Sequence, residues 1–337
     1  MHGIGKWLCR CLLILLTAMH ASLSYAQLST QSSTADIEHE ATVALDEVVV
    51  IGVRAGPRMW RVTKDGHVLW LLGVLDPLPK KLEWQSEQVN TVLAESQAVL
   101  LDGMDVSPDA NLFAKVGLFM QWRRLQKNPD KQTLQQILPA ELYARFEVLK
   151  QRYAKHDDDI ERLRPILAAG KLYQAGMESI GLNARRVVGK AVEKQAKQHG
   201  IKPQTIAIKV AEPRELLDTV SKISTEAEVR CLAATVSRLE SDLNVLRERA
   251  NAWALGDIET LRGMVDSENR AACWDVVTSV PRIKELTDRA KREWISAAQA
   301  SLQQHQTSLA LYGIRELLAT DGVLAQFRAA GYEVEGP

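Results

Sequence analysis

Three carboxylates carry most of the chemistry this sequence has to offer. Asp76 closes the run Gly73-Val74-Leu75-Asp76, Glu316 closes Gly313-Ile314-Arg315-Glu316, and Asp102 follows the apolar run Ala98-Val99-Leu100-Leu101. Each stands where an apolar strand gives out, and strand ends are where α/β folds commonly place their chemistry. Brought together, such acids can bind a hard divalent ion, Mg or Ca, through oxygen alone. As a crowded like-charge group they can instead raise the pKa of one member, which then serves as a general acid beside an ionised base. A third outcome involves no chemistry: a strand-end acid that caps nearby backbone amides.

Other catalytic patterns are absent by spacing. No two of His2, His20, His39, His67, His156, His199 and His305 lie at a ligand spacing, and no HExxH motif occurs. His67 is the histidine nearest a candidate acid in the chain, and its place beside a turn predicts a surface residue. No GxSxG elbow is present. The run Asp157-Asp158-Asp159 cannot present three carboxylates on one helical face and lacks a calcium loop around it, so it reads as a solvated helix start.

The elements that must position these acids follow from periodicity and turn chemistry. Met59, Arg61 and Thr63 alternate with Trp60, Val62 and Lys64; Asp65-Gly66 supplies a positive-φ hairpin turn; and His67 to Leu72 reads as an apolar strand stopping at Gly73. Pro77 and Pro79 then argue against helix and ladder alike. Helical spacing recurs over Trp84 to Ala94, and Ala98 to Asp102 reads as a buried strand ending in its acid. From Pro108 to His199 the pattern is helical, with breaks near Asn128-Pro129-Asp130, Lys155 to Asp159, Gly181 and Gly200. A short strand follows over Pro203 to Val210.

Thr225 and Glu228 have capping-box spacing and open a long helix whose apolar stripe runs from Val229 through Trp253 to a stop at Gly256. Its three-four spacing suits packing within the chain and leaves open a dimer seam through residues 226–254. Pro281 starts a last long amphipathic helix with Ile283, Leu286, Ala290, Trp294, Ala298 and Leu302 on one stripe. A strand over Ser308 to Tyr312 leads to Gly313, and a helix spans about Asp321 to Ala330. The two strand-Gly-x-x-acid units form a weak internal repeat, so the predicted architecture is α/β, with strands from near both chain ends in a central sheet and a large helical insertion between them. Asp76 and Glu316 are expected to face one another, with Asp102 close by.

Composition sets the surroundings. With 337 residues, 46% hydrophobic and 25% charged, the chain can bury a large core, and a net charge of +0 with no basic stripe argues against a nucleic-acid partner. Lys6 and Arg10, the apolar run Cys11 to Met19, and Ser24-Tyr25-Ala26 have the form of a signal peptide cut after Ala26. A retained N-terminal anchor is the alternative. No later stretch reaches the roughly 18 uncharged residues of a transmembrane helix. The mature chain is therefore expected in the periplasm or secreted, with residues 27–58 as a linker and 59–337 as one domain. In that compartment Cys231 and Cys273 would pair, limiting the unfolded chain by about 4 kcal/mol on the loop-entropy model, unless both remain buried free thiols. Within the linker, Asp46 to Gly52 is an apolar β-prone run entered through acids. It is similar to the TonB box of outer-membrane receptors, and also to an ordinary edge strand.

The framework of these motifs resembles the TraB/GumN family over roughly Met59 to Glu335. The resemblance rests on the hairpin from Met59-Trp60 to Gly73, on Trp253-Ala254-Leu255-Gly256-Asp257, and on Asp321-Gly322 with Gly331-Tyr332-Glu333-Val334. The family, related to Tiki-type metalloproteases, carries GxxH where this chain has Gly73 to Asp76 and Gly313 to Glu316. The resemblance implies paired histidines and a glutamate holding a divalent metal that activates water. Here both histidines are replaced by acids, Asp102 stands for a longer glutamate, and Lys209 lies where a third strand commonly ends in glutamate. Ala290 and Lys291 fall where an arginine-asparagine pair is usual, with Arg289 one residue earlier. Imidazole suits Zn, Co, Mn or Fe, whereas carboxylates alone favour Mg or Ca and polarise water less.

A resident divalent metal is therefore disfavoured, and no other cofactor is indicated. The leading expectation is an exported, non-hydrolytic protein that binds a protein, peptide or polysaccharide-related ligand. The alternatives are a metal-dependent hydrolase or protease using Asp76, Asp102 and Glu316, and an accessory of outer-membrane uptake or polysaccharide export acting through residues 45–52.

Overall fold

The computed structural model describes residues 56–79, 87–183, 186–241, 243–266 and 271–337. The expected leader, most of the linker with its segment 45–52, and Trp84 lie outside the described residues. In chain order the elements are β1 (Met59–Lys64), β2 (His67–Val74), β3 (Leu78–Pro79), α1 (Glu87–Glu95), β4 (Ala98–Pro108), α2 (Leu112–Leu125), α3 (Leu134–Ile137), α4 (Ala140–Tyr153), α5 (Pro165–Ser179), β5 (Leu182–Asn183) and α6 (Val187–Gln198). They continue with β6 (Gln204–Val210), α7 (Pro213–Ser221), α8 (Thr225–Ser241), α9 (Leu243–Leu255), α10 (Ile258–Asp266), α11 (Ala271–Thr278), α12 (Pro281–Gln304), β7 (Thr307–Gly313), α13 (Ile314–Leu318), α14 (Val323–Ala329) and β8 (Glu333–Glu335).

Asp65 and Gly66 take φ of 51° and 82°, the positive values that let a two-residue turn follow the twist of its strands. They set β1 antiparallel to β2 with Lys64 opposite His67. The main sheet has six strands in the order β6-β4-β7-β2-β1-β8. β2 and β7 lie side by side and parallel, as do β7 and β4, and β4 and β6. β8 closes the edge against β1, so both ends of the domain enter one sheet as the sequence predicts. The interior strands β2 and β7 are apolar almost throughout because parallel strands are covered on both faces.

Three sequence expectations need correction here. β4 does not end at Asp102 but runs to Pro108, with a register shift between Leu100 and Met104 and Gly103 at φ 82°. Asp102 therefore sits in a bulge, which bends a strand and re-aims side chains. Leu78 and Pro79 do form a ladder, a two-residue one with β5, where a proline is tolerated because the pairing is short and at an edge. The cap of α8 is Ser224, whose Oγ accepts from the Ala227 amide at 3.2 Å, not Thr225. Glu228 turns inward instead, 2% exposed, and meets Arg164 at 2.5 Å.

One hydrophobic core links the sheet to the helical insertion. α12 lies against β2, β4, β6 and β7, burying Ile283, Ala290, Trp294, Ala298 and Leu302. The stripe of α8 and α9 is spent inside this chain: Leu232, Val236, Leu239, Leu246, Ala250 and Trp253 are all buried. Cys231 and Cys273 form a disulfide that joins α8 to α11. The aspartates of the acidic run are ion-paired or solvated around a 3-10 turn, Asp157 with Lys171 and Asp159 with Lys127.

Candidate functional site

The two Gly-x-x-acid runs leave the same end of the sheet. In the parallel β2–β7 pair Val74 stands opposite Gly313, so Asp76 and Glu316 follow adjacent strands past one edge. Gly73 is there for want of space: a Cβ on it would lie 2.4 Å from Ile314 Cδ1 and 3.0 Å from the Trp60 ring. The freed backbone is then held by side chains of α9. Trp253 Nε1 donates to the Gly73 carbonyl at 2.7 Å, and Arg249, one turn earlier, donates from Nη2 to the Asp76 carbonyl at 3.2 Å. Trp294 of α12 does the same for β4, donating to the Leu101 carbonyl at 3.3 Å. Buried indoles need such partners, and here the need fixes the end of β2 and the bulge of β4.

At the β4 bulge Asp102 grips Arg186, the residue that precedes α6 with φ 43°. The guanidinium donates from Nη2 to Oδ1 at 2.8 Å and from Nε to Oδ2 at 3.2 Å, and Nη2 also meets the Asp102 carbonyl. The fork geometry suits arginine and no other cation. Gly189 makes room for the pair, since a Cβ there would fall 2.8 Å from Asp102 Oδ1. Burial works against the Arg186 charge, but Asp102, followed by Asp76 and Asp105, outweighs it and holds the guanidinium above its ordinary value. Asp76 and Asp105 thus share the field of one cation with Asp102.

Glu316 meets a different cation. Its Oε2 accepts from Lys291 Nζ of α12 at 2.8 Å. Tyr312, one residue before the motif glycine, packs its ring at a tilt against Trp294 with centroids 4.3 Å apart, and burial, then the Glu316 charge, push its phenol up to about 12. Glu316 and Gly313 also line a cleft of ≈ 570 Å³. Its other walls include Tyr173, Arg238, Trp274, Arg315 and the disulfide. The Arg238 guanidinium lies 5.2 Å from the Tyr173 ring centre, a cation–π contact.

A model of the TraB/PrgY/gumN family matches residues 58–336. The chain belongs to the TraB/PrgY/gumN family. No curated protein and no solved structure matches it.

For this TraB/PrgY/gumN member the structure places the acids named from sequence at one sheet end, two of them held by separate cations, Asp102 by Arg186 and Glu316 by Lys291, while the Asp76 carbonyl accepts from Arg249. Among the described residues no three His, Cys, Asp or Glu side chains are arranged to hold a metal ion. Lys291 is the cation that reaches the motif acid, whereas Ala290 is buried and Arg289 pairs with Glu293 on the helix surface. Lys209 is exposed on β6. His67 is not a plain surface residue, since its Nδ1 lies 2.7 Å from the Leu302 carbonyl at the end of α12. Sequence reasoning missed Arg186, Arg249 and Asp105. The one signal for Arg186 was a basic residue just ahead of the apolar Val187-Val188, where helix starts favour acids.

Proposed function

We propose that this protein is exported and acts by binding rather than by hydrolysis, taking its ligand into the cleft beside Gly313 and Glu316. The observation that carries the reading is that two of the three candidate acids are already engaged by cations of the chain itself, Asp102 by Arg186 and Glu316 by Lys291. A divalent ion entering the Asp102 bulge would have to displace a guanidinium held at two carboxylate oxygens and a carbonyl. The donors therefore do not fit the metal site that the resemblance implies, and no water-activating step follows from them. The cleft walls suit recognition: Arg238 and Arg315 for an acidic group, Tyr173 and Trp274 for a planar or apolar body. An acidic peptide or an acidic sugar has both features. Export rests on Lys6, Arg10, the apolar run Cys11 to Met19 and the Ser24-Tyr25-Ala26 cut site.

One observation favours a second reading, a metal-dependent hydrolase: the charges of Asp76 and Asp105 reach the same guanidinium that Asp102 grips, so the bulge is a negative region. Metal content of the purified chain Gln27 to Pro337, measured by plasma mass spectrometry beside an Asp76→Ala, Glu316→Ala variant, separates the two. Absence of stoichiometric metal from the native chain is the expected result. A full equivalent that disappears in the variant would overturn the binding reading in favour of the hydrolase.

A further inference from the structure

We propose that α2 is an interfacial helix that docks this protein on an anionic lipid surface. One side of α2 is anchored: Leu118 and Trp122 are 2% exposed and pack with Leu217 of α7 in a small cluster of their own. The opposite side carries Leu112, Val116 and Met120 one helical turn apart, 52%, 49% and 50% exposed, with Phe113 beside them at 86%. These positions span an arc of the helix facing away from the protein, and the run ends in Arg123 and Arg124 in the last turn. Lys115 lies on the anchored side, three residues before Leu118, and the helix bears no acid. Exposed phenylalanine, leucine and methionine in a contiguous stripe are unusual on a free surface and mark a contact site.

Charge and area decide the kind of contact. Two arginines beside the stripe, on a helix with no acid, match an anionic surface and not a second copy of the same helix. Four side chains on one helix fall well short of the roughly 800 Å² per partner that a stable protein interface buries. An apolar stripe of this width is enough for a helix lying about 5–10 Å deep at the headgroup boundary, with arginines on the phosphates. No helix among the described residues is long and apolar enough to cross a membrane.

Co-sedimentation of the chain Gln27 to Pro337 with vesicles of phosphatidylcholine, with and without phosphatidylglycerol, tests this. The protein is expected to pellet with the anionic vesicles, to do so less as salt rises, and to bind neutral vesicles about tenfold more weakly or worse. Phe113→Ser with Met120→Ser, and separately Arg123→Glu with Arg124→Glu, should each cost about tenfold or more in vesicle affinity. These side chains are exposed, so an unchanged thermal melt confirms that both variants fold. Binding by either variant equal to that of the native chain would overturn the proposal. So would sedimentation equilibrium showing a dimer that Phe113→Ser dissolves, which would assign the face to a second copy.

Discussion

Arg186 is the residue on which the chemistry of the site turns. Its side chain is 40% exposed while that of Asp102 is 13% exposed, so replacing the arginine strands the more buried partner. Arg186→Met should lower stability by about 2 kcal/mol, a charged hydrogen-bond value discounted for the solvent that reaches the guanidinium, and a urea midpoint would read it. Gly73→Ala should cost about 1–3 kcal/mol through overpacking. Because the nearest obstacle is Ile314 Cδ1 at 2.4 Å, Ile314→Val on the same chain should recover part of that loss.

Glu228 gives a pH signature. Burial raises its pKa above the ordinary 4.5 and the Arg164 charge opposes that only in part, so the folded state binds the proton more tightly than the unfolded one. Its contribution to stability is full below the unfolded value and is lost as pH rises through the raised one. Urea midpoints across that window should therefore fall with pH in the native chain by more than in Glu228→Gln.

The Gly-x-x-acid runs stand out in the sequence because they are local patterns; that Lys291 reaches Glu316 does not, since the sequence marks it only as a departure from the arginine-asparagine spacing. Nor does Arg186 stand out, since its partner Asp102 is 84 positions away and nothing nearby marks the pairing.

Among the elements, those defined by period or turn chemistry were read correctly: the Asp65-Gly66 hairpin, the β7 strand, the α12 stripe. β4 was cut short because the polar residues Asp102 and Asp105 around Gly103 look like a loop, whereas the positive φ of Gly103 makes a bulge and the strand goes on against β6. The β3–β5 ladder depends on a tertiary meeting that no local pattern encodes. Ser224, not Thr225, caps α8 because Glu228 is taken up by Arg164 and cannot close a capping box. The disulfide between α8 and α11 is the covalent element of the insertion, with a separation of 42 residues. Replacing both cysteines by serine should reduce unfolding free energy by at most about 4 kcal/mol, and native chain treated with a thiol reductant should approach the same urea midpoint.

At the scale of the whole molecule, parallel pairing of β2 with β7 brings two distant Gly-x-x-acid runs to one edge, and the helical insertion supplies the groups that meet them. Trp253 and Arg249 hold the β2 exit, Arg186 occupies the Asp102 bulge, and Lys291 reaches Glu316. The central claim is that cations of the chain itself engage Asp102 and Glu316, so that these acids offer no open donor set to a metal. Calorimetric titration of Mg²⁺, Mn²⁺ and Zn²⁺ into the chain Gln27 to Pro337, native and Arg186→Met, tests it most directly. The native chain should take up no stoichiometric ion, while Arg186→Met, which strips the Asp102 carboxylate and carbonyl of their guanidinium, should bind divalent ions measurably more tightly. One equivalent bound by the native chain and unaltered in Arg186→Met would contradict the claim.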